Sequence, residues 1–189
     1  MLYNPKKIIS NLKILSLIFL SSCLLPIPLF NVNEAKAGLE IQWDRNPNFK
    51  QLQWFQRDNK IRARNTIFFF MKSFTRKADI LKLTIKIPDN FKSTLKKEKI
   101  SLCQVKIGGF ESNTKCIKNI QADIEINEDN TSLDIFPYSP IPLNKEDYAV
   151  VFKIFNPRKS GLYQFHSYGQ YAGKDPLSSY LGSWTIVIN

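Results

Sequence analysis

Few side chains in this sequence could carry out acid–base or redox chemistry. His166 is the only histidine, and it lies in Gln164-Phe165-His166-Ser167-Tyr168, a predicted strand, with the opposite orientation to Phe165. We interpret it as a partly exposed strand residue rather than a general base. No Gly-x-Ser-x-Gly, Walker or dinucleotide-binding motif is present. The sequence therefore predicts no catalytic residue and no cofactor, although a triad assembled from distant segments stays open.

Metal binding has one candidate, an acidic cluster formed by Glu125, Glu128 and Asp129. Carboxylate oxygens bind calcium, but these residues lack the spacing of an EF-hand loop and lie where a hairpin turn is expected. The single histidine and the lack of a Cys-x-x-Cys pair also argue against zinc. We therefore expect a solvated turn and no metal site.

Two of the three cysteines predict a disulfide. Cys103 and Cys116 would close a 14-residue loop, which stabilises a fold by about 3 kcal/mol in the chain-entropy description. An even pair suits an oxidising compartment. The alternative is two buried free thiols.

The first 37 residues have the parts of a secretory signal peptide. Lysines at 6, 7 and 13 precede an uncharged apolar stretch at 14–30, and Ala35 and Ala37 form a small-x-small cleavage site before Gly38. Residues 1–37 are therefore predicted to be removed, and residues 38–189 to form a single domain. The protein is then exported, to the periplasm or beyond the cell; the periplasm, a thylakoid lumen and the exterior are not distinguished.

Two other fates of the N-terminus stay open. A retained membrane anchor is disfavoured because Pro26 and Pro28 interrupt the apolar stretch. Residues 20–23, Leu-Ser-Ser-Cys, have the form of a lipobox, in which Cys23 would be lipidated and anchor a lipoprotein. The apolar residues that follow Cys23 favour cleavage after Ala37 instead.

The mature chain is strongly basic. Of 27 Lys and Arg and 16 Asp and Glu in the precursor, residues 38–189 keep 23 and 15, a net charge of +8. Such a charge favours anionic partners, such as lipid head groups or acidic glycans, although it also serves solubility. Export makes nucleic acid the least suitable partner.

Alternation of apolar and polar residues predicts many short strands. The predicted strands are 39–44, 61–71, 81–87, 102–107, 116–126, 133–136, 148–155, 162–168 and 183–188. Residues 89–99 are the one predicted helix, because Pro88 and Asp89 form a start signal and Phe91 and Leu95 are four apart. Tyr148 is placed like the tyrosine of a tyrosine corner. The sequence predicts a mostly β fold, an antiparallel immunoglobulin- or fibronectin-like β-sandwich with one short helix.

Aromatic residues suggest an interaction surface. Tyr168 directly precedes a long predicted loop at 169–182, Tyr171 lies in this loop, and Arg158 and Lys159 lie in an earlier turn. Exposed aromatic rings beside cations could form a glycan or protein contact. Burial of the aromatic residues on both faces of a sheet is the alternative, and Phe68-Phe69-Phe70 requires it if none of the three is exposed.

Several segments resemble one known family. They are residues 64–70 (RNTIFFF), 81–88 (LKLTIKIP), 103–110, Cys116, 140–142 (PIP), 148–158, 161–165 (GLYQF) and 179–184 (SYLGSW). By these segments, the chain is similar to a cyanobacterial secreted family catalogued as domain of unknown function 2808. The resemblance implies export and a shared domain, and it implies no activity or site residues.

The leading functional hypothesis is a non-catalytic envelope module. Its partner would be an anionic polymer, a membrane surface contacted peripherally, or another envelope protein. An envelope hydrolase acting on glycan or lipid and a structural subunit of a surface assembly are the alternatives.

Overall fold

Two antiparallel sheets of five strands each make up the described part of the chain. The computed structural model describes residues 50–109, 111–173 and 177–189. The strands are β1 (Trp54–Gln56), β2 (Arg64–Met71), β3 (Ile80–Lys86), β4 (Ile100–Lys106), β5 (Lys115–Ile120), β6 (Ala122–Ile126), β7 (Ser132–Pro137), β8 (Tyr148–Phe155), β9 (Gly161–Tyr171) and β10 (Ser178–Ile188). The first sheet has the order β1-β2-β8-β4-β5 and the second β10-β9-β3-β7-β6. The predicted antiparallel β-sandwich is confirmed.

The core forms where inward-facing residues of the two sheets meet. Phe69 of β2 is at its centre, with its ring centroid 5.1 Å from Phe152, 5.0 Å from Phe165 and 4.9 Å from Trp184. The Trp184 indole N–H donates to the carbonyl of Phe70 at 3.1 Å. Since the rings come from both sheets, this aromatic cluster binds the sheets face to face.

The outer face of the first sheet carries a second, smaller apolar cluster. It consists of Phe68, Phe70, Cys103, Val105, Ala149 and Val151. Cys103 and Cys116 form the predicted disulfide beside it, between neighbouring strands β4 and β5, with their Cα atoms 5.7 Å apart. All three phenylalanines at 68–70 are buried, so this strand is covered on both faces.

The predicted helix at 89–99 is wrong. The segment is irregular, and residues 97–99 form one of two three-residue 3₁₀ turns, Lys97–Lys99 and Ser73–Thr75, in the described part of the chain. Phe91 and Leu95 are buried as expected, but an irregular segment can also bury two residues four apart. A short helix is marginal alone, and Lys92 and Lys96 would repel each other on one face.

Two further boundaries differ from the prediction. Residues 116–126 form two strands rather than one, because the chain leaves the first sheet after Ile120 and enters the second at Ala122. The region 169–182 is no long loop, since β9 continues to Tyr171 and β10 begins at Ser178. The predicted strand at 39–44 and the predicted signal peptide lie outside the described residues.

Tyr148 partly follows the tyrosine-corner prediction. Its ring is buried, and its hydroxyl accepts a hydrogen bond from the Asn144 side chain at 3.0 Å. In a tyrosine corner the hydroxyl bonds to the backbone a few residues upstream. Tyr163 makes such a bond, because its hydroxyl donates to the carbonyl of Lys159 at 2.7 Å. The geometry typical of a tyrosine corner therefore occurs at the start of β9.

Candidate anion-binding cleft

Three segments of the chain meet at one end of the first sheet. The antiparallel register places Arg64 opposite Phe155 and Thr66 opposite Lys153, at the start of β2 and the end of β8. Ile100 of β4 lies opposite Phe152, which brings the preceding residues 94–99 to the same place. Between them is a cleft of about 570 Å³, which we term the basic cleft. Its lining residues are Arg64, Asn65, Thr66, Thr94, Lys96, Lys99, Lys153, Ile154 and Phe155.

A pair of buried asparagines joins the strands below the basic cleft. The Asn65 amide of β2 donates to Asn156 Oδ1 at 2.9 Å, just beyond the end of β8. Asn156 in turn donates to the carbonyls of Asp58 and Lys60 at 3.1 and 2.8 Å. Buried amides with all these partners hold a fixed geometry, because any displacement leaves a polar atom unpaired.

The segment before β4 forms the opposite wall. Phe91 anchors it in the core, with ring centroids 5.2 Å from Tyr163 and 4.9 Å from Phe165. The Ser93 hydroxyl donates to the carbonyl of Phe155 at 2.6 Å. With Leu95 also buried, Thr94 and Lys96 on either side of it are exposed and line the basic cleft. Lys96 and Lys99 fall within the segment 89–99, for which the sequence predicted a helix that does not form.

The charged side chains that line the basic cleft are all positive. Four of the lining residues are exposed cations, Arg64, Lys96, Lys99 and Lys153. None of them lies within 4.0 Å of a carboxylate of the described residues, among which the one ion pair joins Lys82 and Asp134 at 2.9 Å. Cations close together without partners produce a positive potential that is strongest inside a concave surface. The arrangement is suited to binding an anion.

An aromatic ring lies among these cations. Phe155 is 59% exposed at the end of β8, and the Arg64 guanidinium lies 5.6 Å from its ring centroid. Such a contact is a weak cation–π interaction at an exposed site. It restrains the Arg64 side chain without neutralising its charge.

The residues of the predicted interaction surface are not brought together. Arg158 and Lys159 are exposed in the turn between β8 and β9, near the basic cleft. Tyr171 is at the far end of the 11-residue strand β9, roughly 30 Å along the strand. It is half-buried, and its burial raises its pKa. Tyr168 lies on the second sheet, with its ring centroid 5.7 Å from that of Tyr180.

His166 lies in a small hydrogen-bonded group on the same sheet. Its Nδ1 is 2.7 Å from the Ser183 hydroxyl, which is 2.6 Å from the Tyr180 hydroxyl. Ser183 is fully buried, so its oxygen is not accessible to a substrate. His166 is half-buried on a strand, as the sequence indicates.

The acidic residues Glu125, Glu128 and Asp129 are exposed at the β6–β7 hairpin. Within residues 50–109, 111–173 and 177–189, no three His, Cys, Asp or Glu side chains are grouped so as to hold a metal ion. The same ranges contain no helix long and apolar enough to cross a membrane.

The cleft residues Arg64, Lys153 and Phe155 were missed by the sequence analysis. They belong to segments about 90 residues apart in sequence, and only the pairing of β2 with β8 joins them. A local signal does exist, because Arg64 and Thr66, like Lys153 and Phe155, alternate with buried residues.

Three solved structures resemble the chain distantly. A bacterial hydrophobin, BslA, has 10% identity over 75% of this chain and 95% of its own, with a TM-score of 0.45. A collagen-binding domain from a Staphylococcus aureus adhesin has 12% identity over 71% and 95%, with a TM-score of 0.39. The collagen-binding subdomain of the Enterococcus faecalis surface protein ACE has 9% identity over 71% and 95%, with a TM-score of 0.39.

A comparison with curated proteins gave no significant match. A family model described as a protein of unknown function, DUF2808, matches residues 41–188. The match covers nearly all of the predicted mature chain.

Proposed function

This chain belongs to the DUF2808 family, described as proteins of unknown function, and on that premise we propose that it is an exported, non-catalytic module that binds an anionic envelope polymer in the basic cleft. One observation carries the proposal. Four cations from three separate segments line a single cleft, and none is paired with a carboxylate of the described residues. Because like charges held close together repel, an anionic partner that enters the cleft gains more free energy than it would on a mixed surface.

Export is part of this proposal. The bonded pair Cys103–Cys116 supports an oxidising compartment, since structural disulfides are rare where glutathione keeps thiols reduced. Together with the predicted cleavage after Ala37, it favours a mature protein of residues 38–189 in the cell envelope or outside the cell. There, charged polysaccharides and peptidoglycan are the abundant anionic polymers.

The absence of catalysis is supported by the surroundings of His166. A hydroxyl nucleophile must reach the substrate, whereas the Ser183 hydroxyl beside His166 is fully buried. The carboxylates of the acidic hairpin lie exposed on the edge strand β6 and its turn rather than in the basic cleft.

Assembly by strand addition at the β10 edge is disfavoured. Residues 50–52 run along this edge, where the N–H of Leu52 donates to the Ser183 carbonyl at 2.7 Å and the N–H of Ser183 donates to the Lys50 carbonyl at 2.8 Å. The Gln56 side chain also donates to the Val187 carbonyl at 2.7 Å. Backbone groups already bonded are not available to a neighbouring chain.

The test compares two charge reversals. The protein is expressed as its full-length precursor, purified after export, and sedimented with dextran sulfate beads, peptidoglycan and envelope polysaccharide. Lys153→Glu is expected to weaken binding about tenfold, because it removes a cation of the basic cleft and adds a repulsive charge. Lys118→Glu is the matched control, because it changes the net charge by the same amount away from the basic cleft. Lys118 lies on β5 opposite Gln104, and Gln104 is opposite Tyr148, which is at the other end of β8 from Phe155.

The wild type should also lose binding between about 50 mM and 500 mM salt, because salt screens exposed charges. Equal weakening by the two variants would show that net charge alone acts, and binding to none of the three polymers would overturn the proposal.

A further inference from the structure

We propose, resting on the function proposed above, that the anionic partner is an acidic saccharide, one pyranose ring of which packs on Phe155 while its acidic groups contact Arg64 and Lys153. The acidic group is an oxyanion, a carboxylate or a sulfate ester, and the basic cleft binds either one through the same cations.

The exposed ring of Phe155 is the first support. A strand end needs no large apolar residue in water, yet this one is 59% exposed inside a cleft lined by four cations. The face of an aromatic ring carries negative potential, and the C–H groups on one face of a pyranose are weakly positive. A sugar ring can therefore pack flat on Phe155, which a ringless polyanion cannot do.

The hydroxyl groups of the cleft are the second support. Thr66 and Thr94 line it on opposite walls, and each offers one donor and two acceptor sites. Sugar hydroxyls need both. The volume of about 570 Å³ lies within the range of small-ligand sites, about 300–1,000 Å³, so a short saccharide segment fits.

The concave shape disfavours a membrane surface as the partner. The cleft lining includes the buried residues Asn65 and Ile154, whereas Lys96 and Lys99 are exposed. A bilayer is flat on this scale, so its head groups would meet the lysines without reaching the buried part of the lining. A flexible polymer can place one unit inside.

The experiment measures calorimetric binding of the exported protein to five defined probes. They are a trigalacturonate, a sulfated galactan oligosaccharide of similar length, neutral maltotriose, inorganic polyphosphate and phosphatidylglycerol vesicles. Both acidic saccharides are expected to bind at least about tenfold more tightly than the other three probes.

Variants of Phe155 separate ring packing from charge. Phe155→Ala should weaken acidic-saccharide binding about tenfold and leave the weaker polyphosphate binding unchanged, which also shows that the cleft remains folded. Phe155→Trp should retain saccharide binding. Phe74→Ala is the control, because it removes a ring outside the cleft lining that is even more exposed than Phe155, at 74%, and it should have no effect.

Two sets of results overturn the inference differently. If polyphosphate or vesicles bind as tightly as the acidic saccharides, or if Phe155→Ala changes nothing, the saccharide assignment is wrong while sensitivity to Lys153→Glu still supports the proposed function. If no anionic probe binds, or if Lys153→Glu has no effect, both proposals fail.

Discussion

Tyr163 connects the aromatic core with the basic end of the molecule. Its ring is buried against Phe91, with centroids 5.2 Å apart, and its hydroxyl donates to the Lys159 carbonyl at 2.7 Å. That bond holds the turn carrying Arg158 and Lys159 against the start of β9. Burial raises the pKa of Tyr163 above its ordinary value, because a phenolate is poorly solvated there.

This environment predicts a loss of stability in alkali. The pKa of Tyr163 is higher in the folded state than in the unfolded state. Its contribution to the free energy of unfolding is therefore complete below pH about 10, the pKa of an unperturbed tyrosine, and is lost as the pH rises through the folded pKa. Tyr163→Phe should lower the free energy of unfolding by about 1 kcal/mol at pH 8, through the lost hydrogen bond. Between pH 9 and 11 the free energy of unfolding of this variant should decline less than that of the wild type. Urea unfolding at several pH values measures both effects; an equally steep decline in both proteins would assign the alkaline loss to other groups, such as Tyr171.

At the scale of elements, the bulge in β10 determines how the sandwich is closed along one side. The register of β10 with β9 shifts between Tyr180 and Gly182, and Gly182 has a φ of +146°. A Cβ atom at this position would lie 2.6 Å from Leu52 Cγ and 2.7 Å from the Lys50 carbonyl oxygen. Glycine therefore permits residues 50–52 to pair with β10 and cover its edge.

Gly182→Ala should destabilise the fold by about 3 kcal/mol, because it adds a steric clash to backbone strain. Gly161→Ala is the matched control, since Gly161 has a φ of +149° but no atom within 4 Å of an added Cβ. It carries the strain alone and should cost about half as much. Chemical denaturation of both variants gives the comparison; equal costs would mean that segment 50–52 moves away without loss.

At the scale of the whole molecule, the two sheets are joined along both sides. Residues 50–56 connect β10 to β2 on one side, through backbone bonds to Ser183 and pairing of β1 with β2. On the other side the chain itself crosses between the sheets from β5 to β6. The disulfide Cys103–Cys116 fixes β4 to β5, the edge strand from which the chain crosses.

The disulfide should act on the entire folding equilibrium, because it restricts the unfolded chain. Replacing both Cys103 and Cys116 by Ala should lower the free energy of unfolding by about 3 kcal/mol. Saccharide binding by the folded double variant should stay unchanged, since neither residue lines the basic cleft. Urea unfolding of the double variant against the oxidised wild type measures the cost. An unchanged midpoint would indicate that the loop is equally restricted in the unfolded state without the bond.

The sequence by itself determined the features that depend on neighbouring residues or on counting. Alternation with a period of two marks β3, because side chains in a strand point to opposite faces. Once the predicted signal peptide is set aside, the two remaining cysteines have one possible pairing. The same local reasoning failed at residues 89–99, since Phe91 and Leu95 satisfy a helical spacing that an irregular, core-anchored segment satisfies equally well. The signal peptide stays a prediction.

Only the tertiary structure decided the order of the strands, the crossing between sheets at Gln121 and the location of the basic cleft. Each of these depends on contacts between residues far apart in the chain, and no local pattern specifies which strands pair. Arg64 and Lys153 become neighbours because β2 lies beside β8, and Lys96 joins them because its segment is anchored by Phe91. The charge was readable from composition, whereas its concentration in one cleft is a product of strand pairing.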